Sequence, residues 1–207
     1  LILFIVSANY LFAQETTSKN KFGIYIKAGV EHDYPFKLNS TLSMMGYKNI
    51  PDILTSGVFG IYYDIKKIEL AYEAGISGAY AKTRLLNVCA NLSVGYILTL
   101  PKEHRLIFSG NIAYVGYSVF AHSEKGNLDF DNLENPLTNS TMFHLELQQF
   151  MAGTKVTWRN QICDVSIGYD FGCVPARWKS NNVNITNSPK ERIDKVHLDL
   201  AVYFLRR

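Results

Sequence analysis

Residues 163–173 read CDVSIGYDFGC, and in this stretch every second residue is apolar or aromatic, with small or polar residues between. Strict alternation of this kind indicates a β-strand with two different faces, because successive side chains of a strand point to opposite sides. The run is also long. Strands of soluble proteins average about 5–6 residues, whereas a strand that crosses a membrane needs about 9–11. The stretch therefore predicts a membrane-spanning strand.

The same alternation occurs in seven other stretches, and no long helical period interrupts them. In 142–158 the pattern changes parity, since its apolar residues occupy odd positions up to Leu147 and even positions from Phe150 onward. One additional residue near Gln148 and Gln149, a β-bulge, restores the alternation. We therefore predict an all-β protein. The eight predicted strands are residues 22–31, 57–64, 68–80, 85–99, 105–121, 142–158, 163–174 and 195–205.

The connections between these strands alternate between tight and long. The tight ones are 64–67, 101–104 and 159–161, and the long ones are 32–56, 122–141 and 175–194, with a short link near 82–84 on the long side. Short turns at one end and long loops at the other are typical of outer-membrane barrels. The sequence predicts that residues 22–205 form one domain, an eight-stranded antiparallel up-and-down transmembrane β-barrel.

Composition supports a single folded domain outside the classes of disordered and nucleic-acid-binding proteins. The 207 residues are 47% hydrophobic and 19% charged, with a formal net charge of +3. Disorder requires lower hydrophobicity, and nucleic-acid binding usually needs a stronger basic excess. The apolar run 1–13, LILFIVSANYLFA, is too short to span a bilayer and fits a signal peptide cleaved near Ala13, followed by a short segment at 14–21. A buried N-terminal strand or helix is the alternative for this run.

The polar faces of the predicted strands decide which face points outward. A soluble lipocalin-like carrier also alternates, but its water-facing side is rich in Lys, Glu and Arg. Here the polar faces consist mostly of Gly, Ser, Asn and Ala, which suit the crowded bore of a narrow barrel. The apolar faces then contact lipid. Six aromatic residues are predicted to form a girdle at the periplasmic rim: Phe22, Tyr63, Tyr96, Phe108, Trp158 and Phe204.

At the end of the chain, residues 196–204 read VHLDLAVYF, alternating apolar residues with a late aromatic. This strand resembles the C-terminal assembly signal of Gram-negative outer-membrane barrels. Over residues 22–205 the chain is similar to the eight-stranded OmpA/OmpX-type barrels, within the broad porin-like β-barrel domain family. That family usually ends on the aromatic, whereas Leu205, Arg206 and Arg207 follow Phe204 here. The resemblance implies an integral protein of the cell outer membrane and implies no particular activity.

Ionisable residues with inward parity predict a polar network in the lumen. Acids outnumber bases among them, so the carboxyl groups must be paired, hydrated or protonated. One interpretation is a hydrogen-bonded plug, and the other is a narrow cation-preferring channel. Lys27 and Asp199 are predicted to pair, because the first and last strands adjoin in a closed barrel. The predicted network is Lys27, Glu69, Glu73, Glu146, Asp164, Asp170, His197 and Asp199, with Glu31 and Lys155 beside it.

No enzymatic site is predicted. The nearest candidate is a rim lipid hydrolase built on His122, Ser123 and Glu124, with Asp129 and Asp131 in the following loop. Adjacent residues of a strand point to opposite faces, which argues against a proton relay between His122 and Ser123. Cysteine and histidine spacings fit no metal site, so neither a metal nor a cofactor is expected.

The long loops are the predicted working surface, which gives the protein a structural or interaction role. The expected partners are outer-membrane lipids, including lipopolysaccharide, and a protein bound through the loops, but not nucleic acid. Opposite charges in the two loops also allow them to pair with each other. The basic loop carries Arg177, Trp178, Lys179, Lys190 and Arg192, and the acidic loop carries Glu124, Asp129, Asp131 and Glu134.

Overall fold

A computed structural model describes residues 21–206 except 35, 45–46, 80–82, 123–141 and 181–187. The predicted signal peptide at 1–13 lies outside the described residues, as do Ser123, Glu124, Asp129 and Asp131. The strands are β1 (Lys21–Asp33), β2 (Ile53–Ile65), β3 (Ile68–Ala79), β4 (Thr83–Thr99), β5 (Arg105–His122), β6 (Met142–Arg159), β7 (Cys163–Gly172), β8 (Ala176–Arg177), β9 (Lys190–Glu191) and β10 (Lys195–Arg206), with one helix, α1 (Leu38–Met44).

Eight of these strands close into a barrel, and the remaining two form a separate small sheet. The barrel order is β1-β10-β7-β6-β5-β4-β3-β2, every neighbouring pair is antiparallel, and β8 pairs with β9. Closure pairs the first strand with the last, which leaves the barrel without a free sheet edge. The chain is a closed eight-stranded antiparallel β-barrel, as the sequence predicts. We call the end with the tight turns the turn end, and the opposite end the loop end.

The predicted bulge in the sixth strand is wrong. The β5–β6 ladder pairs residue by residue from Arg105 with Arg159 to His122 with Met142. Leu145 and Leu147 are buried and face inward. The parity change therefore reflects a change from apolar to polar side chains in the barrel interior along the strand. A register shift occurs instead between β1 and β10, at Ile24 and Tyr25.

The outer surface of the barrel is apolar, and the interior next to it is polar. On β4, Leu92 points outward with 55% of its surface exposed, whereas its neighbour Ser93 is only 6% exposed. A surface of this kind is suited to lipid and not to water. The chain is therefore a membrane β-barrel. Other large apolar side chains on the outer surface include Ile26, Phe59, Ile76, Ile112, Phe150, Ile167, Leu198 and Val202.

At the loop end the interior also contains a large apolar cluster. Helix α1 and the segment around β8 and β9 fold over the barrel mouth and pack against inward side chains of the wall. We call this unit the cap. It contributes Phe36, Leu38, Leu42, Tyr47, Ile50, Trp178 and Ile193, which pack on Leu54, Leu85, Val115, Tyr117, Val119, Leu145, Leu147 and Met151.

The polarity of β6 inverts along its length. From Phe150 to Trp158 the outward positions are mostly apolar, and these nine residues match the ~9–11 that a tilted strand needs to cross a bilayer. Beyond Phe150 the outward positions are Gln148, Glu146 and His144, while the inward ones are Gln149 and the apolar Leu147 and Leu145. On β6 the lipid-facing band therefore ends near Phe150.

Within the described residues, α1 and a short 3₁₀ turn are the helical segments, and neither is long and apolar enough to cross a membrane.

Candidate functional site

Glu73, on β3, is the centre of a buried polar network in the lumen. Its carboxylate accepts hydrogen bonds from the Tyr25 hydroxyl at 2.7 Å, from Lys27 Nζ at 3.1 Å, from Asn91 Nδ2 at 3.1 Å and from Lys155 Nζ at 3.0 Å. The donors come from β1, β4 and β6, so one carboxylate connects four strands across the bore. All these side chains except Asn91 are almost fully buried.

The network continues from Lys27 toward β10 and β7. Lys27 Nζ lies 3.3 Å from Asp199 Oδ2, which confirms the predicted pairing. Asp199 in turn lies 2.7 Å from His197 Nδ1, and His197 Nε2 is 3.8 Å from Asp170 Oδ2. The amide of Asn111 donates to Asp170 at 2.8 Å. These contacts form one connected chain of charged and polar groups.

A second cluster lies nearer the turn end, around Arg159. Its Nη1 is 2.5 Å from Glu69 Oε2, and its Nε donates to Asp164 Oδ2 at 2.8 Å. The guanidinium lies 4.3 Å above the ring of Tyr62 and 5.6 Å from that of Tyr203, whose hydroxyl also donates to Asp164. Planar guanidinium groups favour this combination of carboxylate pairing and aromatic stacking.

Three bases of the interior were missed in the sequence. Arg159 and Lys195 have inward parity but stand at strand ends, outside the alternating runs. Lys195 lies 3.6 Å from Glu31, and Arg105 lies 2.6 Å from Asp64. The excess of acids is therefore smaller than the sequence predicts.

Glu146 does not belong to this network, so its predicted inward position is wrong. Because β6 has no bulge, Glu146 lies on the outward face, with 36% of its side chain exposed and its carboxylate 3.5 Å from His144. Its backbone exchanges two hydrogen bonds of 2.8 Å with Lys179. The other seven predicted members of the network are buried inside the barrel.

Asp33 is the exception to the rule that these carboxylates are paired. It is fully buried at the loop end of β1, and neither of its carboxylate oxygens has a hydrogen-bond partner among the described residues. Its cross-strand partner on β10 is Lys195. The ammonium group of Lys195 forms an ion pair with Glu31. A buried carboxylate without hydrogen-bond partners is costly, so we expect this position to contribute little to stability.

The six predicted girdle residues lie on the outer surface at the turn end. Trp158 is 37% exposed and stacks on His104 with their ring centroids 5.2 Å apart, while Phe204 is 67% exposed. The others are Phe22, Tyr63, Tyr96 and Phe108. Their function as anchors at a membrane interface stays a prediction.

The cap is held together by specific hydrogen bonds. The backbone N–H of Leu38 donates to the Glu191 carboxylate, and the Ile50 N–H donates to Asn39 Oδ1 at 2.7 Å. Burial raises the pKa of the Glu191 carboxyl above its usual value. Trp178, which the sequence groups with the basic loop, is only 2% exposed and belongs to the apolar interior of the cap.

The described residues contain no group of three or more His, Cys, Asp or Glu side chains arranged to hold a metal ion. The rim-hydrolase candidate falls largely outside the described residues. Cys89, Cys163 and Cys173 are free thiols.

Comparisons with known proteins give structural likenesses only. No family model and no curated protein matches the chain. Among solved structures it is similar to Neisserial surface protein A, with 12% identity, a TM-score of 0.47, and coverage of 90% of this chain and 100% of that one. It is similar to Ail, the attachment invasion locus protein of Yersinia pestis, with 9% identity, a TM-score of 0.48, and coverage of 92% and 100%. The outer membrane protease OmpT of Escherichia coli matches at 10% identity and a TM-score of 0.36, with coverage of 92% and 99%.

Proposed function

We propose that the protein is an integral outer-membrane β-barrel that is closed to ions and serves a structural or interaction role through its loop end. The single observation that carries this proposal is the filling of the bore at two levels. The Glu73 and Arg159 clusters fill the membrane-spanning part, and the apolar interior of the cap fills the mouth. The role we propose is not enzymatic.

The difference between the two ends supports an orientation. Outer-membrane barrels have short turns on the periplasmic side and longer loops on the extracellular side. The turn end, with the termini and the tight turns, is therefore periplasmic in our proposal, and the cap is extracellular. The aromatic residues at the turn end then mark the periplasmic interface.

A narrow cation channel is the second candidate, and the acidic lumen favours it. Against it, Lys27 and Lys155 both contact Glu73 from different strands, so charged side chains meet across the bore. An eight-stranded barrel has an interior just wide enough for side chains to fill. Conduction would require these pairs to separate.

Conductance in a planar bilayer tests closure. We expect the purified protein to insert without steady conductance, and we expect Glu73→Gln to remain closed as well. Cation-selective steps in the wild-type protein that shrink in Glu73→Gln would reject the proposal and support the channel. A wider porin of known conductance, inserted under the same conditions, controls for insertion.

Labelling of single cysteines on whole cells tests location and orientation. The background carries Cys89→Ser, Cys163→Ser and Cys173→Ser, and one cysteine is placed at exposed Lys48 in the cap or at exposed Lys102 in a tight turn. A membrane-impermeant maleimide should label position 48 and spare position 102. The reverse pattern would reject the orientation, and recovery of the protein in the soluble fraction would reject the outer-membrane location.

A further inference from the structure

The small sheet β8–β9 has two very different faces. Trp178 and Glu191 point into the cap and are each 2% exposed. Arg177 and Lys190 are cross-strand partners and are both exposed. Because side chains alternate along a strand, one face of this hairpin is attached to the barrel and the other is presented to water.

Two further bases extend the exposed face. Lys179 has the same parity as Arg177, and Arg192 has the same parity as Lys190, and both are exposed. We call Arg177, Lys179, Lys190 and Arg192 the basic face. Among the described residues, Arg192 alone of these four has a carboxylate within ion-pair distance, Asp194 at 3.7 Å.

Placing like charges directly opposite each other on paired strands is unfavourable. Here the surrounding contacts hold the bases together despite that repulsion. The Lys179 backbone is bonded to Glu146 on β6, and the underside is fixed through Trp178 and through the Glu191–Leu38 contact. An anion with several negative oxygens would remove the repulsion by contacting the bases together.

Apolar side chains lie close to the basic face in sequence and point outward. Phe171, near the end of β7, is 44% exposed, and Val174, three residues before Arg177, is 67% exposed. This end of β7 borders the lipid-facing band, so exposed apolar groups and bases adjoin at the same rim. A soluble polyanion would contact only the bases, whereas a lipid with a charged headgroup would contact both the bases and the apolar side chains.

We propose that the basic face binds the phosphate groups of a phosphorylated glycolipid in the outer leaflet, with the acyl chains lying along Phe171 and Val174. This inference rests on the extracellular orientation proposed above for the cap. It assigns a partner to the loop end without requiring any chemical reaction.

Binding of fluorescent bisphosphorylated lipid A to the full chain, refolded in zwitterionic detergent, tests the inference. We expect Arg177→Gln with Lys190→Gln to weaken binding about tenfold, because two exposed ion pairs with phosphate oxygens are lost. Binding should also weaken as salt is raised. The matched control is Lys66→Gln with Lys102→Gln, which removes two exposed bases from the turn end and should leave affinity unchanged.

Three outcomes would overturn the inference. Equal loss in the control pair would indicate a non-specific effect of net charge, and an unchanged affinity in Arg177→Gln with Lys190→Gln would exclude the basic face. Competition by inorganic pyrophosphate as strong as by lipid A would show that any phosphate suffices, which contradicts the lipid assignment. The assay is performed in detergent and depends on neither conductance nor cellular location. A negative result would therefore overturn this inference without affecting the outcome of the closure and location experiments.

Discussion

Glu73 accepts hydrogen bonds from four side chains, which makes it the residue on which the lumen network depends most. Glu73→Gln keeps the shape of the side chain but removes the negative charge that Lys27 and Lys155 both contact. Breaking a buried ion pair from one side leaves an uncompensated charge and typically costs about 3–5 kcal/mol. We expect the free energy of unfolding in urea, measured in lipid vesicles, to fall by about that amount.

Asp199→Asn is the matched comparison for Glu73→Gln. The sequence alone suggests that this change strands Lys27, but Lys27 keeps its contact with Glu73 at 3.1 Å. The free energy of unfolding should therefore fall less in Asp199→Asn than in Glu73→Gln. A larger loss would contradict the central position of Glu73.

Asp33 gives the opposite expectation, because it is buried without a hydrogen-bond partner among the described residues. Asp33→Asn removes a costly buried charge and should leave stability unchanged or raise it. Glu31→Gln, two residues earlier, loses the ion pair with Lys195 and should destabilise the barrel. Urea unfolding of both variants tests these two expectations. A marked loss of stability in Asp33→Asn would indicate that the carboxylate of Asp33 has a stabilising partner.

At the scale of the elements, β4 provides a test of which face meets lipid. Leu92 lies at mid-strand with its side chain outward, so Leu92→Arg should cost about 2–4 kcal/mol in a bilayer. Leu100 follows the end of the same strand at the turn end, where Leu100→Arg should cost only about 0–1 kcal/mol. Folding titrations in vesicles measure both, and a neutral Leu92→Arg would reverse the assignment of the faces.

The stability of the cap should depend on pH through Glu191. Burial raises the pKa of its carboxyl in the folded state, so the folded cap binds the proton more tightly than the unfolded chain does. The stability from this group is fully present below the unfolded pKa, about 4.3, and is lost as pH rises through the folded pKa. Hydrogen exchange at Leu38 should therefore become faster across that range.

Glu191→Gln supplies the control for this pH dependence. Glutamine still offers an oxygen to the Leu38 N–H but does not titrate, so the dependence of exchange on pH beyond the intrinsic chemical rate should disappear. A variant that retains the wild-type profile would show that another group controls the cap.

Period-two alternation was enough to predict the eight strands, their antiparallel order and the lipid-facing side. It failed where a strand changes surroundings along its length. Leu145 and Leu147 have the inward parity of a polar lumen but face the cap, and this produced both the false bulge and the wrong position for Glu146. Arg159 and Lys195 were missed because a run of alternation is weakest at its ends. The basic face needed the structure, since parity across a long loop cannot place Arg177 opposite Lys190.

At the scale of the whole molecule, the inversion of polarity along β6 has a thermodynamic consequence. Apolar groups that face lipid stay in hydrocarbon when the barrel loosens, whereas those under the cap become exposed to water when it opens. Exposure of apolar surface to water carries a large positive heat capacity change. Calorimetry should therefore detect opening of the cap as a distinct transition. The free energy of this opening should have a curved dependence on temperature, so that the cap weakens on cooling. The spanning strands should contribute almost none of the heat capacity change.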